Sequence, residues 1–177
     1  MEFRDADIQD FWEGTNLAPR RVPSDVRRAL VRKPQLLDAA HALDDLKVPP
    51  GNRLEAPTGD RRGQYSIRVD RQWRLRFKWI DGEAKGGSSL LTAMRDLMST
   101  PGEILKEEFL GPLGISQYRL AKVIGKSESA VSEIVNGKRA ITVEMAWLLA
   151  EALGTTPEFW MKLQTTYDLK TFDPSAL

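Results

Sequence analysis

The 177-residue chain contains no cysteine and a single histidine, His41. Without cysteine it can form neither a disulfide bond nor a thiolate nucleophile, and a zinc or iron site would depend almost wholly on carboxylates. The chain also lacks the ~18-residue apolar run of a membrane-spanning helix. Its first residues, MEFRDADIQD, are acidic and unlike a signal peptide. We therefore predict a cytoplasmic protein with no metal, no cofactor and no membrane partner.

Charged residues are abundant but unevenly distributed. The chain has 26 Lys and Arg against 25 Asp and Glu, a formal net charge of +1. Between residues 53 and 78, however, three acidic residues accompany eight basic ones, namely Arg53, Arg61, Arg62, Arg68, Arg71, Arg74, Arg76 and Lys78. Concentrated positive charge suits a polyanion such as nucleic acid. The alternative is a solvated sheet face whose charges prevent edge-to-edge aggregation.

The stretch GQYSIRVDRQWRLRFKW, residues 63–79, alternates apolar with polar or basic residues. Successive side chains of a strand point to opposite faces, so the pattern predicts a β-hairpin with one apolar and one cationic face. Tyr65 shares the parity of Ile67, and we predict that it packs in the core rather than taking part in catalysis.

Upstream of the hairpin the pattern is helical to about residue 46. Ser24 is a suitable N-cap, and Pro34 predicts a bend or a restart between helical runs at 25–32 and 35–43. His41 falls in the second run, and we interpret it as an ordinary helix residue. A short strand is expected at 53–55.

The segment ISQYRLAKVIGKSESAVSEIVNGKR, residues 115–139, is the most specific motif. Ser116 and Ser127 would cap two short helices joined at Gly125, as in a helix-turn-helix. A plain helical hairpin is the alternative, but it would not require so polar an outer face on the second helix. With a helix after Pro101 and others after Thr142 and Thr156, we predict an all-helical five-helix region.

We place the domains at 1–85 and 99–177, with a linker at 86–98 around the Gly-Gly-Ser-Ser sequence. In the second domain we expect Leu148 and Phe159 to be core residues. Trp147 and Trp160 fit the core and a dimer contact equally well.

Residues 51–79, GNRLEAPTGDRRGQYSIRVDRQWRLRFKW, resemble HigB toxins of the RelE-like group. Residues 101–169, including PGEILKEEFL and EIVNGKRAIT, resemble HigA antitoxins of the Xre helix-turn-helix class. The resemblance implies a fused toxin–antitoxin pair of α+β class. A small RelE-like domain of helices and antiparallel sheet would be followed by a lambda-repressor-like domain.

For the first domain, the resemblance implies a metal-independent mRNA interferase fold acting on the ribosome. Arg68 and Arg74 match the family's SIR and QWR motifs, so the resemblance implies that they are the catalytic arginines. It also implies RNA binding by four further cations, Arg61, Arg62, Arg76 and Lys78. A guanidinium can hold phosphate bidentately and stabilise the charge that develops during 2′-hydroxyl attack. The family's histidine-bearing final strand does not follow Trp79 here, so we predict an attenuated or inactive toxin. The alternative is an active endonuclease restrained by its own antitoxin domain.

For the second domain, the resemblance implies a homodimer that binds operator DNA, represses its own transcription and neutralises the toxin. The recognition helix would be Ser127 to Asn136, with Glu128-Ser129-Ala130 where many relatives have arginine or asparagine. The residues predicted to contact DNA are Gln117, Tyr118, Lys126, Ser127, Ser129, Ser132, Glu133, Asn136, Lys138 and Arg139.

Overall fold

The computed structural model describes residues 24–56, 63–71, 74–85 and 98–172. Its elements are α1 (Ser24–Ala39), a 3-10 helix (Leu43–Leu46), β1 (Gln64–Arg68), β2 (Arg74–Ile80), β3 (Glu83–Lys85), α2 (101–113), α3 (Gln117–Val123), α4 (Glu128–Val135), α5 (Val143–Leu153) and α6 (Pro157–Thr171). We call the described residues up to 85 the sheet half and those from 98 the helical half. The predicted α+β class, with five helices in its second part, is confirmed.

Helix α1 runs through Pro34 and ends at Ala39. Of the two outcomes predicted at the proline, a bend or a restart, the continuous helix excludes the restart. The helical placement of His41 is wrong, since His41 is exposed and lies beyond the helix end. Proline removes one backbone hydrogen bond from a helix. Leu36 and Leu37, two and three residues after the proline, are fully buried, and tertiary packing of this kind supplies most helical stability in proteins.

The sheet is antiparallel in the order β1-β2-β3. Tyr65 lies opposite Phe77 and Ile67 opposite Leu75, which places the apolar residues on one face against α1. The predicted two-faced hairpin is confirmed. Strand β3 was not predicted, although Asp81 (φ 53°) and Gly82 (φ 79°) form the left-handed two-residue turn that commonly joins two strands. The segment at 53–55 contributes one bridge, Glu55 to Ser66.

The N-terminal caps of the helical half follow the sequence. The side chains of Ser116, Ser127, Thr142 and Thr156 accept backbone N–H groups at the starts of α3, α4, α5 and α6. Gly125 takes a left-handed conformation (φ 64°) between α3 and α4. Helix α2 is continuous, but its middle, Leu105–Leu110, has π-type hydrogen bonding.

Three aromatic rings form the centre of the helical half. The Trp160 ring lies 5.1 Å from the rings of Phe109 and Phe159, centre to centre, and all three residues are fully buried. Trp147, by contrast, is 62% exposed. The structure thus assigns Trp160 to the core, together with Phe159 as predicted, whereas Leu148 packs half-buried at its edge.

Helix α1 belongs to two hydrophobic clusters at once. Val26, Leu30 and Leu37 pack with the sheet, while Leu36 and Ala39 pack into the cluster of the helical half. A helix that buries two opposite faces joins the two parts through a shared apolar core.

Buried polar contacts accompany this packing. The Gln35 amide donates to the Ser99 carbonyl (2.9 Å) and accepts the Ser99 N–H (3.1 Å). The Asp45 carboxylate accepts the backbone N–H (3.0 Å) and the hydroxyl (3.2 Å) of Thr156 at the start of α6. Each hydrogen bond fixes the position of one half relative to the other, because an unpaired buried polar group is costly.

Candidate nucleic-acid interface

The polar face of the β1-β2 hairpin carries most of the predicted RNA contacts. Arg68 and Arg74 are direct cross-strand partners, and Arg76 lies opposite Ser66 on the same face. Arg74, Arg76 and Lys78 are exposed and Arg68 is half-buried. The sequence therefore places four cations on one face as predicted, while Arg61 and Arg62 lie outside the described residues. Like charges directly opposite one another repel, so this face favours an anionic ligand.

The Arg74 guanidinium is held by several contacts within the protein. Its Nε donates to the Ser66 hydroxyl (3.1 Å), and its Nη2 donates to the carbonyls of Arg53 (2.7 Å) and Ser66 (3.1 Å). Its Nη1 also lies 3.2 Å from the Glu55 carboxylate. A phosphate would have to displace some of these partners, because a guanidinium has only five N–H donors.

Arg68 borders a groove that the sequence did not reveal. The groove, about 390 Å³ in volume, is lined by Pro50, Gly51, Arg53, Arg68, Val69, Asp70, Arg71 and, from α2, Pro112. The backbone carbonyl of Asp70 accepts Arg68 Nε (2.6 Å), which orients that guanidinium beside the groove. Arg53 and Arg71 add two exposed guanidinium groups. Both are among the eight basic residues between 53 and 78, but the sequence does not show that they line the same groove.

Neither His41 nor Tyr65, the two residues that could transfer a proton, is among the residues that line the groove. His41 is exposed beyond the end of α1. The Tyr65 ring stacks on Phe77 with centres 5.9 Å apart, in agreement with the predicted packing role. Among the residues the structure describes, no three His, Asp or Glu side chains come together as a metal site.

The outer face of α4 and its flanks form the second candidate surface. Tyr118, Ser129, Glu133, Asn136, Lys138 and Arg139 are exposed, and Gln117, Lys126 and Ser132 are half-buried. The structure thus brings the predicted DNA contacts to the surface around one helix. The inward residues Ala130, Val131, Ile134 and Val135 are all buried, which fixes the orientation of that face.

Several of these side chains already have partners within the chain. Lys126 pairs with Glu144 (2.6 Å), and Arg139 lies 3.4 Å from Glu133. The Asn136 amide donates to the Ser132 carbonyl (2.8 Å), and the Ser127 hydroxyl accepts the Ala130 N–H (3.2 Å) as the helix cap. Exposed ion pairs contribute little to stability, so the two cations can exchange carboxylate for phosphate at small cost. Ser127 is the least available, because its hydroxyl is the N-cap.

Across the described ranges, no helix is both long and apolar enough to cross a bilayer. The described residues thus form a protein with two candidate nucleic-acid surfaces, one on a small α+β sheet and the other on the second helix of a helix-turn-helix.

Comparison with known proteins gives the family. Residues 1–87 match the family described as RelE-like toxin of type II toxin-antitoxin system HigB, and residues 105–160 match a helix-turn-helix family. Toxin HigB-1 of Vibrio cholerae serotype O1 is 46% identical over 84 residues, which cover 48% of this chain and 87% of that protein. The chain belongs to the HigB-like toxin family, and a helix-turn-helix region that is similar to HigA antitoxins follows the matched toxin region.

Antitoxin HigA-1 of the same Vibrio cholerae strain is 47% identical over 68 residues, 38% of this chain. The match spans 64% of that antitoxin, less than two thirds of its length. A solved structure, described as Pseudomonas aeruginosa antitoxin HigA with higBA promoter, is 41% identical with a TM-score of 0.41. It covers 41% of this chain and 78% of that one.

Proposed function

We propose that this chain is a fused toxin–antitoxin protein of the cytoplasm in which the helical half carries the principal activity. The helical half binds operator DNA as a dimer, represses its own transcription and neutralises the sheet half. The sheet half keeps an mRNA-binding cationic face with little or no endonuclease activity. We place the domains at 1–85 and 99–177. The observation that carries the proposal is the contrast between an exposed recognition face on α4 and an internally bonded Arg74.

The recognition face has the chemistry that DNA binding requires. Ser129, Asn136 and Lys138 lie on or just beyond α4 and are exposed. Short polar side chains can reach base edges in the major groove, and a lysine at the helix exit can contact phosphate. A two-fold dimer would present two such helices to successive major grooves.

The dimer contact fits the outer face of α5. Val143 and Trp147 are one helical turn apart and are 60% and 62% exposed. Paired apolar side chains of this size are typical of the buried centre of a protein interface.

DNA binding predicts a specific salt dependence. Lys138→Ala removes one phosphate contact, so the slope of log affinity against log salt should become shallower by about one unit. The measurement is a gel-shift titration on the upstream palindrome at several salt concentrations. Lys162→Ala is the control, since Lys162 is an exposed lysine on α6, which contributes none of the predicted contacts. Equal slopes for the wild type and Lys138→Ala would contradict the assigned contact.

The state of the sheet half is tested by growth. We expect residues 1–93 expressed alone to leave growth and translation unchanged, with no further effect of Arg68→Ala combined with Arg74→Ala. Circular dichroism should first establish that the segment is folded, because Leu36 would lose its cover. Growth arrest that the double substitution relieves would instead establish the alternative, an active endonuclease restrained by the helical half.

A further inference from the structure

A buried ion cluster joins the two halves. Glu108, in the π-type segment of α2, lies with its carboxylate 2.9 Å from Arg32 Nε and 2.5 Å from Lys33 Nζ, both on α1. Lys33 is 3% exposed and Glu108 is 4% exposed. Burial lowers the pKa of the Lys33 ammonium, and the Glu108 carboxylate opposes that decrease. The carboxylate from the helical half is thus the counter-ion of a lysine inside the sheet half.

Lys33 is also bonded to the turn that precedes the sheet. Its Nζ donates to Asn52 Oδ1 (2.6 Å), and the Asn52 amide in turn donates to the Leu46 carbonyl (2.9 Å). Asn52 is completely buried, and its backbone N–H closes the turn on the Pro49 carbonyl (2.9 Å). Lys33 and Leu46 therefore hold both ends of one amide side chain, and this fixes the turn at 49–53.

The same turn holds the cationic face through two adjacent carbonyls. The Asn52 carbonyl accepts the backbone N–H of Arg68 (2.6 Å), and the Arg53 carbonyl accepts Arg74 Nη2 (2.7 Å). Arg53 adopts a left-handed conformation (φ 42°), which a residue with a side chain keeps only where its surroundings hold it. The turn also forms one wall of the groove through Pro50, Gly51 and Arg53.

We propose that Glu108 is a positioning residue for this groove: acting through Lys33 and Asn52, it holds the 49–53 turn and thereby Arg68 and Arg74, which bond to carbonyls of that turn. The consequence for RNA binding rests on the proposed function of the sheet half. Through this chain of contacts a residue of the helical half acts on the cationic face.

The physical reason lies in the burial of Lys33. If Glu108 loses its charge, a buried ammonium is left without a counter-ion and must give up its proton or move toward water. Either change weakens the bond to Asn52 Oδ1, because a charged donor makes the stronger hydrogen bond. The turn then loses one of its two side-chain anchors.

The test is amide hydrogen exchange in the full-length Glu108→Gln variant. The Arg68 N–H, bonded to the Asn52 carbonyl, should exchange about tenfold faster relative to the Ser66 N–H, the size expected for losing one hydrogen bond of a charged group. Ser66 is the internal reference, since it lies in β1 with Arg68 but its N–H donates to the Glu55 carbonyl (2.9 Å) rather than to the turn. Glu107→Gln, at an exposed neighbour, should leave the ratio unchanged.

A second substitution separates positioning from general stabilisation. In an Asn52→Ala background the connection is already cut, so Glu108→Gln should lower the melting temperature without changing the Arg68-to-Ser66 ratio further. If Glu108→Gln alone accelerates both amides equally, or neither, the positioning role is refuted.

The functional readout is the affinity of the full-length protein for a single-stranded oligouridine. Glu108→Gln should weaken binding severalfold and Glu107→Gln should not. A changed exchange ratio with unchanged affinity would overturn the link to binding. If the wild-type protein binds no oligouridine, the RNA-binding function fails, and the exchange ratio still decides the positioning role.

Discussion

Replacing Trp160 by alanine is expected to destabilise the protein by about 3–5 kcal/mol, the usual range for removing a large buried aromatic side chain. Trp160 is 0% exposed and packs against the rings of Phe109 and Phe159. Its indole N–H donates to the Thr155 hydroxyl (2.8 Å), so alanine would also leave that hydroxyl without its donor. Urea unfolding followed by far-UV circular dichroism measures the loss.

Trp147→Ala is the matched control for this prediction. Trp147 is the same residue type in the same half but is 62% exposed, so its replacement should change the unfolding free energy by less than about 0.5 kcal/mol. In the proposed dimer it should instead raise the dissociation constant in sedimentation experiments. A comparable loss of monomer stability in both variants would contradict the assignment of Trp160 to the core and Trp147 to the interface.

Gly102→Ala should be as damaging as the tryptophan substitution, although it adds only a methyl group. A Cβ at Gly102 would lie 1.7 Å from the Ile134 carbonyl oxygen and 2.5 Å from its carbon. Both are backbone atoms of α4, so no side-chain rotation relieves the collision, and α2 must move away from the recognition helix. Overpacking of this kind costs about 3 kcal/mol or more when the backbone has to shift.

The measurements for Gly102→Ala are thermal unfolding and operator binding by gel shift. Because the collision is with α4 itself, we expect DNA affinity to fall together with the melting temperature. Gly51→Ala is the control, since a Cβ there has no atom within 4 Å. A Gly102→Ala protein with wild-type stability and wild-type DNA binding would refute the close approach of α2 to α4.

The ion cluster at Glu108 contributes more to aligning the two halves than to the free energy of unfolding. Removing two charges from water costs several kcal/mol per ion, and their attraction often only restores that loss. The pair nevertheless disfavours any arrangement of the halves in which either charge lacks its partner. Together with the Gln35–Ser99 and Asp45–Thr156 contacts, it defines one orientation of the helical half on α1.

Much of the local structure could be predicted because its signals are local. The alternation in β1 and β2, and the Ser and Thr caps of α3 to α6, depend on residues only a few positions apart. Asp81-Gly82 gives the same kind of local signal and predicts a turn, but the short strand β3 after that turn was not predicted. Pro34 shows the limit of local rules, since α1 continues through it and does not restart there.

The candidate sites, like the fold, could be predicted from the sequence only in part. The sequence was sufficient to predict which side chains share the cationic face and which surround α4, because strand parity and helical period determine facing. It could not predict their partners, since Arg74 pairs with Glu55 across a turn and Lys126 with Glu144 on another helix. Those partners determine which cations would have to give up an internal ion pair before they could bind a phosphate.

By itself, the sequence determined the type and order of most elements and which side chains share each of the two candidate nucleic-acid faces, since these follow from periodicity and caps. The tertiary structure alone decided that α1 serves two cores, that Arg53, Arg68 and Arg71 line one groove with Pro112, and that Glu108 neutralises Lys33. The physical reason is distance along the chain. Lys33 and Glu108 are 75 residues apart, and no local pattern states which buried charge will meet which partner once apolar faces have packed.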